Sequence, residues 1–194
     1  MYKKKIILAS GSPRRKMVLK MMGLPFKQTV SRVPEHNIIK DPGRHVLYYS
    51  RKKAEAVAGR IKQGLVLGAD TVVASRNRIF GKPGSPAEAR KMLQELSNKK
   101  HLVITGITLI DAGSGTRVSG KESTEVIFRR LAKKEIDWYV KTGEPMDKAG
   151  AYGIQEQGCF LVNKINGCYF NVVGLPVVCL YNLLKKAGYF KPGR

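Results

Sequence analysis

The stretch that sets the fold spans residues 8–19 and reads LASGSPRRKMVL. Two isoleucines stand directly before its apolar residues Leu8 and Ala9. Residues 6–9 are therefore predicted to form a short buried strand. Ser12 followed by Pro13 is typical of a helix start, with serine as the N-cap and proline at the first helical position. We therefore predict a strand, a glycine-containing turn and a helix that runs to about Met22.

The turn between this strand and helix is a candidate anion site. Free backbone amides and the helix dipole both favour negative charge at a helix N-terminus. Arg14 and Arg15 stand at that same end, where they oppose the dipole unless a phosphate lies beside them. Solvated arginines in a basic chain are the equally weighted alternative. The GxxxxGK[ST] spacing of a Walker loop is absent.

Composition narrows the class of protein. The 194 residues suit one sizeable domain or two small lobes that share a cleft. Lysine and arginine outnumber acidic residues by 36 to 14, a formal net charge of +22, which favours nucleic acid, an anionic membrane or phosphorylated small molecules as partners. Three cysteines without a CxxC pair predict reduced thiols in a cytoplasmic protein. No apolar run approaches the roughly 20 residues of a membrane span.

Helices and strands alternate along the first half of the chain, and antiparallel pairs follow. Predicted strands are residues 26–33, 65–74, 101–112 and 117–128; predicted helices run from Pro42 to near Gly64, from Pro86 through Leu96, over residues 133–141 and from Pro176 to about Ala187. A hairpin is predicted about Asn166-Gly167. This order indicates a mixed α/β architecture, not a doubly wound parallel sheet. Because no linker-like segment is found, any two lobes are expected to be interwoven.

Asp70 is the clearest candidate functional residue, because it is the one acid in the apolar run LVLGADTVVA of residues 65–74. An ionised carboxylate in a buried strand is costly unless it is paired or bound to metal. A purely structural ion pair, or a strand that ends at Gly68, is the alternative interpretation.

Three further segments are candidates for the same site. Lys82 lies between a glycine and a proline, and the restrained backbone can aim its side chain. Residues 146–158, MDKAGAYGIQEQG, are rich in glycine and lack periodicity, which is typical of a functional loop or of a tight connector. In the basic run of residues 51–53, only one or two side chains can face a cleft. The three histidines show no metal-ligand spacing.

Four of these stretches, in this order, resemble the Maf family of nucleoside triphosphate pyrophosphatases. They are LASGSPRRKMVL, GADTVV, GKP followed by a helix and a strand ending ITG, and DKAGAYGIQ through KINGCYFNVVGLP. The resemblance implies a single domain over residues 1–194, with two interwoven lobes around a deep cleft, related to the inosine triphosphatase fold. It also implies hydrolysis of a nucleoside triphosphate to the monophosphate and pyrophosphate, a divalent Mg²⁺ or Mn²⁺ ion, and a homodimer.

The resemblance also implies residue roles. The positions that match triphosphate ligands are Ser10, Arg14 and Arg15. Those that match the catalytic charges of the cleft are Glu35, Lys53, Asp70 and Lys82, with Asp70 at the proton acceptor's position. Positions that separate the substrate branches are Arg14, Thr71 and Gln155, and they resemble the dTTP/UTP-type branch rather than the branch acting on methylated GTP.

The residues' own chemistry leaves two roles open for Asp70. Nearby cations weaken a carboxylate as a base, which favours Asp70 as a metal ligand that orients and acidifies a water, with Glu35 helping. A general-base role holds if burial offsets the cations. The amide of Gln155 offers one donor and one acceptor, which complement the N3–H and O4 edge of uracil or thymine.

Two positions depart from the family pattern: Glu156 replaces a usual glycine, and Pro34 precedes Glu35. We expect Glu156 to affect the orientation of the Gln155 side chain. We expect Pro34 to affect the orientation of the Glu35 carboxylate. The function that the resemblance implies is hydrolysis of dTTP and UTP, with modified pyrimidine triphosphates as further candidate substrates, as house-cleaning of the nucleotide pool. Two alternatives remain: the same chemistry on methylated GTP or another non-standard nucleotide, and a basic protein that binds nucleic acid with steep salt dependence.

Overall fold

The computed structural model describes residues 4–35, 39–76 and 78–190. The strands are β1 Ile6–Leu8, β2 Phe26–Gln28, β3 Leu65–Ser75, β4 Arg78–Phe80, β5 Lys100–Asp111, β6 Arg117–Phe128 and β7 Val162–Asn166. The α-helices are α1 Pro13–Met21, α2 Pro42–Ala58, α3 Pro86–Leu96, α4 Lys133–Lys141, α5 Tyr169–Val173 and α6 Val177–Lys186. Short 3₁₀ helices cover Glu144–Asp147, Ala149–Ala151 and Gln157–Leu161.

The strands form one mixed sheet in the order β2-β1-β3-β5-β6-β7, and β4 pairs with the outer end of β3. Strand β1 is parallel to both β2 and β3, because helices α1 and α2 provide the crossovers that parallel pairing needs. The pairs β3–β5, β5–β6 and β6–β7 are antiparallel. The prediction of a mixed sheet is confirmed.

Of the four hydrophobic clusters in the described residues, the two largest lie at the two ends of β3. The first contains β1, α1, α6 and the half of β3 up to Ala69. The second contains α3, α4 and the half of β3 from Val73 onward. A cleft of about 820 Å³ lies between them, and Asp70 and Thr71 on its floor are the residues where one core gives way to the other. This agrees with the predicted two lobes; the extent of a single domain over residues 1–194 stays a prediction.

Helix α2 lies unusually close to the sheet. A Cβ atom added to Gly68 would lie 2.1 Å from the Ser50 carbonyl oxygen, and one added to Gly106 would lie 2.4 Å from that of Val46. Only glycine therefore permits this approach. Because Lys53 follows Ser50 by one helical turn and Asp70 follows Gly68 on the same strand, the close packing brings these two charges together.

The predicted hairpin at Asn166-Gly167 is wrong. Its first arm is β7, which pairs with β6, but the chain after Gly167 forms α5 instead of a return strand. Asn171, which has no exposed surface, donates to the Val103 carbonyl at 2.8 Å and to the Thr124 hydroxyl at 2.9 Å. These long-range bonds hold the helical turn, and a short apolar run does not by itself distinguish strand from helix.

Other element boundaries also differ from prediction. Strand β2 ends at Gln28 rather than near residue 33, and its side-chain amide donates to the Ser10 carbonyl at 2.8 Å. Helix α2 ends at Ala58 rather than near Gly64. Strand β4 and the 3₁₀ helices were not predicted, because each spans five residues or fewer. His36 lies outside the described residues.

The structure also describes the cysteines and the lengths of the helices. All three cysteines are free thiols, as the absence of a disulfide pattern predicted. Within the described ranges, no helix is both long enough and apolar enough to cross a membrane.

The second core contains a histidine that makes stability depend on pH. His101 is 3% exposed, and its Nε2 lies 2.8 Å from the Tyr152 hydroxyl. Burial lowers the pKa of His101 from 6.5 to about 4. Between these values the unfolded chain binds a proton that the folded chain does not, so acidification favours unfolding.

We therefore predict that lowering the pH from 7 to 4 costs the wild type about 3 kcal/mol more free energy of unfolding than it costs His101→Gln. Urea titrations of both proteins at the two pH values measure this difference. Glutamine keeps a polar partner for Tyr152 but does not titrate. Parallel pH dependence of the two proteins would contradict the assignment.

Candidate active site

The cleft brings together all nine residues that the sequence singled out. Its lining includes Ser10, Arg14, Arg15, Glu35, Lys53, Asp70, Thr71, Lys82 and Gln155. They come from β3, α1, α2 and four loops, so their positions in sequence range from 10 to 155. A common location does not test the individual roles, which stay predictions.

A lysine bridges two carboxylates on the floor of the cleft. Lys53 is 7% exposed, and its Nζ lies 2.7 Å from Asp70 Oδ1 and 2.7 Å from Glu35 Oε1. Burial would raise the pKa of Glu35, but Lys53, with Lys82 and Arg15, lowers it below its ordinary value. The alternative interpretation of Asp70 as an ion-pair partner is thus correct in its geometry, and the pair lies inside the cleft.

The second carboxylate oxygen of Asp70 is different. Oδ2 is buried and has no hydrogen-bond partner among the described residues. The Nε2 atom of His45, on α2, lies 3.9 Å away. A buried acceptor without a partner is costly, so Oδ2 marks the point where a ligand, a water or a cation completes the site.

The donor set fits a divalent cation that is shared with substrate. The described residues contain no cluster of three or more acidic, histidine or cysteine side chains able to hold a metal alone. Mg²⁺ commonly uses one or two carboxylates together with substrate phosphates. Asp70 and Glu35 supply hard oxygen ligands of this kind.

Arg15 organises the turn between β1 and α1. Its guanidinium donates at 3.0 Å to the Gly174 carbonyl, the Ser10 hydroxyl and the Thr71 hydroxyl. Thr71 in turn shares a 2.9 Å hydrogen bond with Thr105 on β5. Burial lowers the pKa of Arg15, against the opposing effects of acidic residues in the cleft. Arg15 therefore connects the turn, β3 and the loop after α5.

Arg14 reaches across the cleft. One of its terminal nitrogens lies 3.0 Å from Asp147 Oδ2, and the other lies 3.2 Å from the Asp147 carbonyl oxygen. The opposite oxygen of Asp147 accepts from Lys148 at 2.9 Å. The two lobes are thus joined by an ion pair at the cationic turn.

The glycine-rich loop carries Gln155 to the mouth of the cleft. Its amide nitrogen lies 3.8 Å from the Met17 sulfur, a weak acceptor that a better partner can replace. The carboxylate of Glu156, the next residue, lies 3.7 Å from Lys148 Nζ. The expected influence of Glu156 on Gln155 stays a prediction.

Sequence reasoning did not assign His45 to the site, and it included Asp147 and Lys148 only as members of the glycine-rich segment of residues 146–158. His45 was set aside because it lacks metal-ligand spacing. The available signal was its position eight residues before Lys53, which places both on one side of α2 after about two turns. Of residues 51–53, Lys53 is the one that lines the cleft.

Comparison with known proteins identifies the family. A family model described as "Maf-like protein" matches residues 5–187. The chain belongs to the Maf family. All the cleft residues described above fall within the matched range. The family resemblance found in the sequence is therefore confirmed.

Several relatives of this Maf chain share nearly its full length. A dTTP/UTP pyrophosphatase of Carboxydothermus hydrogenoformans is 47% identical over 95% of this chain and 100% of the relative. The proteins of the same name from Bacillus cereus and Syntrophus aciditrophicus are 48% and 43% identical, over 94% and 97% of this chain and 90% and 92% of theirs. Among solved structures, the Staphylococcus aureus Ham1 protein matches 64% of this chain and 72% of its own, with 15% identity and a TM-score of 0.43.

Proposed function

We propose that this protein hydrolyses dTTP and UTP to the monophosphate and pyrophosphate. The observation that carries the proposal is the buried Lys53, held between Asp70 and Glu35 on the floor of a cleft whose rim carries a cationic turn. The relatives named dTTP/UTP pyrophosphatase, similar over almost the whole chain, support the substrate class.

The charges of the cleft match the reaction. A triphosphate carries about four negative charges, and cations fixed in a cleft stabilise the charge that develops on leaving pyrophosphate. We assign this role to Arg14, Lys53 and Lys82, while Arg15 holds the turn in place through its contacts with Ser10 and Thr71. Substrate phosphates would replace Asp147 as the partner of Arg14.

We further propose that Mg²⁺ or Mn²⁺ binds together with the triphosphate. Asp70 and Glu35 are the residues that would hold it. Such an ion, when bound, neutralises phosphate charge and lowers the pKa of a coordinated water. Lys53 keeps both carboxylates in place before the substrate arrives.

Pyrophosphate release from a panel of triphosphates tests the proposal. The panel contains dTTP, UTP, pseudouridine and 5-methyluridine triphosphates, CTP, GTP, 7-methyl-GTP and ITP, each with Mg²⁺ or Mn²⁺. We expect release from the uracil and thymine compounds. Preference for 7-methyl-GTP would keep the chemistry and refute the assigned branch. No release from any compound, with tight salt-dependent binding to RNA or DNA, would refute the reaction and favour nucleic-acid binding.

Base selectivity is assigned to Gln155. A bidentate pair with N3–H and O4 needs one acceptor and one donor, and glutamate lacks the donor. We predict that Gln155→Glu lowers kcat/KM for UTP by about tenfold to a hundredfold, the effect of losing one specific polar contact. The matched control is Gln157→Glu, the same change two residues along the loop. An unchanged substrate profile in Gln155→Glu would refute the assignment.

The cellular setting follows from the same proposal. We propose a cytoplasmic homodimer that removes unwanted nucleotides from the pool. Sedimentation equilibrium of the purified protein tests the dimer, and a single species of about the 21.5 kDa chain mass would refute it.

A further inference from the structure

The two carboxylate oxygens of Asp70 differ in their hydrogen bonding. Oδ1 accepts from Lys53 at 2.7 Å, whereas Oδ2 is buried without a hydrogen-bond partner in the part of the chain that the structure describes. The ring nitrogen Nε2 of His45 faces Oδ2 at 3.9 Å. Both side chains line the cleft, and His45 is 4% exposed.

The orientation of His45 is fixed by its neighbours. Its Nδ1 lies 3.4 Å from the Ile39 carbonyl oxygen. Its ring packs against the ring of Tyr49, with 4.7 Å between the two ring centroids. Since a carbonyl only accepts, Nδ1 is assigned the proton in the neutral ring. The Nε2 atom that faces Asp70 is then an acceptor.

Two acceptors 3.9 Å apart cannot bond to each other, but one water can join them. A water at about 2.8 Å from each atom spans this gap with ordinary hydrogen-bond geometry. It would donate one O–H to His45 Nε2 and the other to Asp70 Oδ2. Its lone pairs would then point away from the protein acceptors and toward the interior of the cleft.

We propose that His45 is a further catalytic residue, which together with Asp70 holds the attacking water. The inference rests on the proposed hydrolysis and names a residue of its machinery. The water oxygen bonds to the α-phosphorus, while the bond from that phosphorus to the bridging oxygen breaks and its electron pair leaves with pyrophosphate. The proton that the attacking water loses in this step passes to solvent.

Three variants of one position test this role. His45→Phe keeps a ring against Tyr49 but has no acceptor, His45→Ala removes the ring, and His45→Gln restores an acceptor oxygen. We expect kcat for UTP to fall by about tenfold to a hundredfold in the first two, the range for losing one hydrogen bond to a buried polar group. The glutamine variant should lie between these and the wild type. Arg44→Gln, a change at an exposed neighbour on the same helix, should leave kcat within twofold.

Binding separates this role from a structural one. Calorimetry with α,β-methylene-UTP, which cannot release pyrophosphate, should give the same Kd within twofold for wild type and His45→Phe. Wild-type kcat in His45→Phe would overturn the proposal, and so would equal losses of kcat and affinity. If the phenylalanine variant fails to fold, equal kcat in the glutamine and alanine variants overturns it. A wild type without pyrophosphate release refutes the proposed function, and the role of His45 falls with it.

Discussion

Asp70→Asn should reduce kcat for UTP by about a thousandfold, within the range for losing a general base or its equivalent. Asparagine keeps the size of the side chain and an oxygen that can accept from Lys53. It removes the negative charge and replaces one oxygen with an amide nitrogen, which can neither take a proton from water nor bind a cation. Steady-state pyrophosphate release measures the effect.

A matched control shows whether the loss is specific to the cleft. Asp111 is another largely buried aspartate, at the end of β5, and it pairs with Lys4. Asp111→Asn makes the same chemical change away from the cleft and should leave kcat within a few-fold of wild type. Turnover in Asp70→Asn comparable to that of Asp111→Asn would contradict the central role of Asp70.

Metal binding distinguishes the two roles that the sequence left open for Asp70. Mn²⁺ affinity in the presence of α,β-methylene-UTP can be measured by electron paramagnetic resonance for wild type and Asp70→Asn. Lost turnover with intact Mn²⁺ binding favours Asp70 as the proton acceptor. Lost turnover with lost binding favours a metal ligand.

Gly68→Ala should destabilise the fold by about 3 kcal/mol or more, because overpacking against backbone is at the costly end of small-to-large changes. The added Cβ would lie 2.1 Å from the Ser50 carbonyl and 2.8 Å from the Ala54 amide nitrogen. Helix α2 must then move away from the sheet, and Lys53 moves with it. We expect turnover to fall as well, since the contact of Lys53 with Asp70 depends on that packing. Urea unfolding and pyrophosphate release measure the two effects.

The two shortest contacts of a Cβ atom added to Gly68 are with backbone atoms of α2, so trimming a neighbouring side chain should not relieve them. Adding Ala54→Gly relieves only the contact with the Ala54 Cβ atom at 2.9 Å, so the double variant should not recover stability. Gly113→Ala is the control, because its added Cβ would meet nothing closer than 3.6 Å. Wild-type stability and turnover in Gly68→Ala would show that α2 can shift without cost.

The sequence predicted the local structure well where the signals were local. Ser12 and Ser85 each cap a helix that begins with proline, and in both the hydroxyl accepts from the backbone N–H three residues on. The long β3 was recognisable because an apolar run buried on both faces has few other interpretations. The segment after Gly167 failed because its five-residue helix is held by Asn171, which bonds to strands β5 and β6 far away in sequence.

The sequence by itself determined that the fold is mixed α/β, because caps and apolar runs are written in neighbouring residues, and its ordered motifs, through the family resemblance, pointed to nine of the residues that line the cleft. Only the tertiary structure decided how those residues are paired. Arg14 contacts Asp147, 133 positions away, and His45 faces Asp70 because glycines let α2 lie against the sheet. Such contacts depend on distances between elements, and these distances are set by packing of the whole chain.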